Sequence, residues 1–286
     1  MRFWLFQVAN GLTTGAMLFF VTVGLTVVTG LMRILNLAHG ALFLVGGYVG
    51  LSVIDMTGSF IAGLGAGALA AGLLGLILQQ AFTTVLLGST FNQVLLTLGV
   101  AFILGNGALQ VFGGTPRRLR PPSYLSSSIE VFGVTYPSYR LALIVLAVVA
   151  GIVLWLLWEK SLVGAMIRAC VDDRPMAAAM GIPVAGVFAS VFSIGAALAG
   201  LTGVLAAPVF GLYIGLDFEV LILAVIVMVV GGMGSLTGAF IASMLVGLIH
   251  VIGQASFPAL SSVTLFVPVI LILIVRPQGL MGRLER

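Results

Sequence analysis

The chain alternates long apolar runs with short polar interruptions, and the lengths of those runs define its elements. No residue between Asp55 and Arg117 is charged, and residues 175–216 and 220–275 are equally bare. A helix needs about 20 apolar residues to cross a bilayer core of about 30 Å, so each stretch holds at least one span. Hydropathy and turn residues place spans near 4–30, 36–54, 59–79, 91–112, 140–158, 184–207, 220–231 with 237–254, and 260–275. The predicted fold class is therefore all-α: a polytopic membrane protein with about eight transmembrane helices, or eight to ten counting broken or re-entrant segments. The run from Phe3 to Met32 is too long for the core of a signal peptide and reads as the first span.

Two hydrophilic segments interrupt this pattern. Residues 113–140 are rich in Pro, Ser and Arg and read as a surface loop. Residues 159–183 combine helix formers with balanced charge and read as a short amphipathic helix pair outside the membrane. Counting spans puts the two on opposite sides. Small residues recur at every fourth position: Gly63, Gly67, Ala71 and Gly75; Gly195, Ala199, Gly203 and Ala207; Gly231, Ser235, Ala239, Ser243 and Gly247. Such ridges let helix backbones approach closely in lipid, where apolar burial gives no drive to associate.

Composition sharpens the class. Of 286 residues, 61% are hydrophobic and 7% charged, against roughly a quarter charged in soluble proteins. The net charge of +4 comes from a few arginines at membrane edges and does not indicate nucleic-acid binding. Cys170 is the single cysteine, which rules out an internal disulfide. If the C-terminus and residues 159–183 are cytoplasmic, that side carries Arg33, Lys160, Arg168, Arg174, Arg276, Arg283 and Arg286. The other side carries Arg2, Arg117, Arg118, Arg120 and Arg140, so the positive-inside bias is seven to five.

Several chemistries fail for want of parts. The only lysine, Lys160, follows Trp158 and Glu159 and makes no phosphate-binding loop, so the chain hydrolyses no ATP by that route. Ser235 and His250 lie fifteen residues apart, about 22 Å along one helix, too far for a nucleophile and its base. Two histidines, one cysteine and eight scattered carboxylates offer no metal-site spacing. No enzymatic activity, cofactor or metal is expected of this chain.

Three constellations remain. Arg33, Asn36 and His39 form one polar stripe on a helix. Either Arg33 marks the membrane interface with Asn36 capping a helix that starts there, or the group belongs to a discontinuous helix facing an aqueous path. In GGMGSLTGA, Gly231, Gly232, Gly234 and Ser235 break the preceding apolar run at about 12 residues. They make either a gate element lining the path or a plain turn between short helices. In 159–183, Arg168, Asp172, Asp173 and Arg174 stand beside Ala169, Ala177 and Gly181, either as a helix fitting a partner's groove or as a loop laced with local ion pairs.

The segments GLMRILNLAHGALFLVGGYVG, IRACVDDRPMAAAMGIPV and VVGGMGSLTGAFIASMLVG resemble, in order and spacing over nearly the whole chain, the H-type permease subunits of ABC importers for branched-chain amino acids. The resemblance implies a single type II-like permease domain over 1–286, with 113–140 an extracytoplasmic loop and 159–183 the cytoplasmic coupling helices, in a bacterial cytoplasmic (inner) membrane. It further implies a homologous M-type permease partner, two ATP-binding subunits that hold ATP and Mg, an extracytoplasmic solute-binding protein and a small-molecule substrate. Arg168, Ala169, Asp172, Asp173, Ala177 and Gly181 would dock on the ATPase. Asn36, His39 and Gly40, with Gly231, Gly232, Gly234 and Ser235, would shape the pathway and gate. Arg117, Arg118, Arg120, Arg140, Asp217 and Glu219 form a candidate surface for the binding protein. Ala41 stands where the family commonly has an acidic residue, residues 220–230 lack a frequent basic one, and the loop 82–93 lacks its usual basic charge. Leucine, isoleucine and valine are the default solutes, with urea, short amides and aromatic acids as alternatives. A rival class, the ion-coupled secondary transporter or channel, predicts a buried carboxylate on the path, with Asp55 the candidate; a membrane scaffold predicts no transport at all.

Overall fold

The computed structural model of the protein describes residues 2–32, 35–85, 90–131 and 133–282. Its long helices are α1 (Arg2–Met32), α2 (His39–Thr57), α3 (Phe60–Val85), α4 (Thr90–Phe112), α5 (Ser138–Lys160), α8 (Val184–Phe210) and α10 (Leu236–Ser256). Four shorter ones complete the set: α6 (Leu162–Asp172), α7 (Arg174–Ala179), α9 (Leu216–Gly231) and α11 (Ser261–Val275). Among the described residues, seven helices are long and apolar enough to cross a membrane, while α9 and α11, at 16 and 15 residues, are shorter. Helices dominate because lipid supplies no partner for a backbone N–H or C=O, and a helix satisfies both within its own segment.

Glycine contacts set how the helices cross. α8 runs through the centre against α1, α2 and α3, and α10 lies along α1. A Cβ on Gly24 of α1 would meet the Gly195 carbonyl oxygen of α8 at 2.5 Å, and one on Gly203 would meet the Phe43 carbonyl oxygen of α2 at 2.1 Å. The first two small-residue rows are thus packing ridges. The third is not one ridge: Gly231 ends α9 and Ser235 precedes α10, leaving Ala239, Ser243 and Gly247 on α10, where Gly247 packs on Gly11 and Gly15. One core cluster gathers Phe19, Phe43, Tyr48 and Leu205 in mid-bundle, and a second gathers Phe188, Phe192, Cys170 and Ala177 at one end. Ile61, Leu69, Leu73 and Ile77 on α3, and Ile152 and Leu157 on α5, point outward and suit lipid.

The bundle has two distinct ends. α5, 23 residues long and so about 34 Å, connects them and separates the two polar segments. At one end, the segment expected as a plain loop carries two paired strands, with β1 (Ser128–Val131) antiparallel to β2 (Val134–Pro137). Tyr136 anchors the hairpin to α1, its hydroxyl 3.1 Å from Asn10 Oδ1 and 2.9 Å from Thr13 Oγ1. At the other end, α6 and α7 meet the last turn of α1. The α9–α10 turn lies there too, since a Cβ on Gly30 would sit 2.4 Å from Gly234 Cα. The segment after α11 joins them: Leu280 N–H donates to the Val230 carbonyl (2.7 Å) and Met281 N–H to the Gly231 carbonyl (3.1 Å). Gly232 and Gly279 approach closely at this clasp with φ of +96° and +79°, a backbone region that L side chains avoid.

Candidate functional site

α2 begins in mid-bundle. His39 Nε2 donates to the Val21 carbonyl of α1 at 3.0 Å, whereas α1 continues eleven residues further, to Met32, or about 16 Å. Asn36 holds the break, its Oδ1 accepting from Ala38 N–H at 3.0 Å, a local side-chain bond that displaces the helix start from 36 to 39. Asn36 and His39 are each 1% exposed. Arg33, expected to mark the interface, lies outside the described residues, as do Arg283 and Arg286.

α9 starts against the same break. A Cβ on Gly40 would lie 2.2 Å from the Asp217 carbonyl oxygen, so this position admits no side chain. Asp217, read from sequence as an outer-surface group, is instead 3% exposed, and its Oδ1 accepts from Gly215 N–H at 3.1 Å. The cause is the path of the chain: residues 211–215 fold back after α8, so α9 begins beside α2. Asp55, the carboxylate proposed from sequence for an ion-coupled path, is exposed beyond the middle of α2.

Between α1, α8, α9 and α10 lies a chamber of about 270 Å³. Val21, whose carbonyl receives His39, lines it, whereas Asn36, His39 and Gly40 do not. Met17, Leu18, Phe43, Val220 and Leu223 give it apolar sides, and Tyr213, Glu219, His250 and Gln254 give it polar ones. Tyr213 donates to Glu219 Oε2 at 2.8 Å, and Gln254 Nε2 lies 3.2 Å from His250 Nε2. His250 Nδ1 is buried with no partner among the described residues.

At the α6–α7 end, two caps shape the helix pair. Ser161 Oγ accepts from Gly164 N–H at 3.0 Å, and Asp173 Oδ1 accepts from Met176 N–H at 2.9 Å. Arg168 donates from Nη1 to the Trp158 carbonyl, tying α6 to α5. Arg174 donates from Nη2 to the Leu31 carbonyl at 2.9 Å and lies 4.5 Å above the Phe188 ring, tying α7 to α1 and α8. Ala177 turns inward, 3% exposed, and Ala169 is half-buried against the same cluster, whereas Asp172, Asp173 and Gly181 face out. Met176 and Met180, one turn apart, are 60% and 77% exposed. The outward face is therefore apolar with an acidic rim.

GGMGS forms the turn, not a re-entrant element. Gly232 caps α9 by donating to the Met228 carbonyl (3.0 Å), Gly234 takes a φ of +79°, and Ser235 Oγ accepts from Gly238 N–H at 3.0 Å to start α10. Ser235→Ala is expected to cost about 1 kcal/mol and to raise amide exchange in the first turn of α10 while leaving α9 unchanged. Equal exchange in both variants would show that the cap contributes nothing.

Residues 7–275 match the family described as the branched-chain amino acid transport system / permease component. The chain belongs to this family. The permease is 29% identical over 305 residues to the high-affinity branched-chain amino acid transport system permease protein LivH of Salmonella typhimurium, covering 99% of this chain and 97% of that protein. It is 27% identical over 294 residues to BraD of Pseudomonas aeruginosa, a permease of the same description, covering 98% and 96%. Among solved structures, PsaBC from Streptococcus pneumoniae in complex with Fab aligns with a TM-score of 0.48 at 16% identity, over 93% of this chain and 89% of that one. The permease is a multi-pass protein of the cytoplasmic (inner) membrane.

The groups expected on the outer surface of the permease divide. Arg118 and Arg120 are exposed, and Arg117 pairs its backbone with Leu212 at 2.8 and 2.7 Å. Arg140 sits in α5, half-buried, donating to Asn10 Oδ1. Glu219 is exposed and lines the chamber, whereas Asp217 turns into the core. His250 and Gln254, unassigned from sequence, are neighbours on the permease's chamber wall; their i, i+4 spacing in an otherwise apolar run was the available signal.

Proposed function

We propose that the permease is one half of the membrane pore of an ATP-driven importer for branched-chain amino acids, leucine, isoleucine and valine. It pairs with a homologous permease of the M type and is fed by an extracytoplasmic solute-binding protein at the hairpin end, where Arg118 and Arg120 are exposed. Two ATP-binding subunits hold the ATP and Mg and hydrolyse it. They dock on the permeases from the α6–α7 end, which is the cytoplasmic one. The observation that carries this reading is the helix pair: two short capped helices, fixed to α5, α1 and α8, that present Met176, Met180 and Asp172 outward. Exposed methionines with an acidic rim suit a protein partner better than water. The names of the relatives support the solute class.

The corresponding test compares wild type with Asp172→Arg/Met176→Glu/Met180→Glu in native complexes extracted in mild detergent. Asp173 is left intact because it caps α7. Recovery of the ATP-binding subunits is expected to fall at least about tenfold at matched permease level, the equivalent of about 1.4 kcal/mol. A wild-type permease that brings down no ATP-binding subunit, or that moves solute alone in liposomes, would overturn the reading. Uptake of urea or an aromatic acid in place of leucine would correct the solute and keep the mechanism.

A further inference from the structure

The chamber has a composition that bulk helix packing does not require. Glu219, two residues after the buried Asp217, lies exposed on the chamber lining, and the Tyr213 hydroxyl occupies one of its oxygens at 2.8 Å, leaving the other for a second donor. Across the chamber, Gln254 bonds His250 Nε2 through its Nε2 and keeps a second N–H. The remaining walls, among them Met17, Leu18 and Leu223, are aliphatic. At about 270 Å³, the space falls just under the roughly 300–1,000 Å³ of drug-sized ligand sites, so its ligand is small.

We infer that this chamber is a binding station for a small aliphatic solute bearing an ammonium group, with Glu219 as the counter-charge and Tyr213 as its positioning residue. An aliphatic amino acid fits all three walls. Its ammonium pairs with Glu219, its carboxylate accepts from the free N–H of Gln254, and its side chain lies on the aliphatic face. The assignment rests on the importer reading above and adds that the permease itself discriminates solutes by charge.

The test uses the complete importer in nanodiscs, without binding protein, carrying a reporter cysteine at Leu223→Cys or, in a second variant, Met17→Cys. Native Cys170 is fully buried and burial pushes its thiol up, so maleimide reads the introduced position. Leucine and isoamylamine, which carry the ammonium, are expected to slow labelling at least fivefold, and isocaproate, which lacks it, is expected not to. Glu219→Gln is expected to abolish the protection. The assignment falls if neither amine protects at either position, if isocaproate protects equally, or if Glu219→Gln keeps the protection. Uptake is measured in parallel with the same complexes in liposomes supplied with binding protein: uptake without ATP would sink the importer reading, while the labelling still decides the chamber.

Discussion

Gly200→Val is expected to remove most folded permease from detergent extracts and to lower the melting temperature of the remainder by about 10 °C. Three helices meet at this glycine. A Cβ there would lie 2.4 Å from the Gly67 carbonyl oxygen of α3 and 2.4 Å from Ala71 Cβ, and one on Gly46 of α2 would lie 2.3 Å from Gly200 Cα. Backbone fills these positions and cannot rotate away, so a valine must push α8 off both neighbours. In lipid the separated helices lose dispersion contacts and recover no hydrophobic compensation. Overpacking at one site typically costs about 1–3 kcal/mol, and a node of three helices stands at the upper end of that range. At a few degrees per kcal/mol this gives about 10 °C. Gly65→Val is the control: nothing lies within 4 Å of a Cβ there, so its melting is expected to match wild type. Heating followed by size-exclusion chromatography reads both, and equal melting of the two variants would refute the packing argument.

Arg174→Gln is expected to leave ATP-binding subunits attached and hydrolysing while uptake falls at least about tenfold. The guanidinium faces the bundle, donating to the Leu31 carbonyl and covering Phe188, and so joins α7 to α1 and α8 rather than to a partner. A charged hydrogen bond contributes about 1.5–3 kcal/mol, enough to shift a two-state linkage tenfold or more. Arg174→Lys keeps the charge but not the planar fork that makes both contacts, and is expected to fall between the two. Solute moved per ATP hydrolysed in proteoliposomes is the decisive ratio. If uptake and hydrolysis fall together, Arg174 supports docking; if neither changes, the link transmits nothing.

The span pattern was legible because each helix must satisfy its own backbone in lipid, so run length alone locates it. The helix pair at 159–183 was legible from its helix formers and balanced charge, a local signal, to which the structure adds the caps Ser161 and Asp173. Long-range placement was not. Asp217 precedes an apolar run and reads as an interface residue, yet the fold-back at 211–215 carries it beside Gly40. Ala177 shares the small-residue face of its segment, but which face turns inward depends on Arg174 reaching Leu31, 143 residues away. The hairpin was readable and missed: residues 128–137 alternate apolar and polar positions around Gly133, a strand signal masked by the Pro and Ser that precede it.

The clasp between residues 280–281 and the end of α9 has a mechanical consequence. α9 spans 16 residues, about 24 Å, with the glycine turn and the clasp at one end and Glu219 near the other. An intact helix resists compression along its axis, because shortening it would strain every hydrogen bond in series. α9 therefore acts as a pushrod: a load taken up at Gly231 arrives at Glu219 with little loss, and the carboxylate moves whenever the far end is displaced.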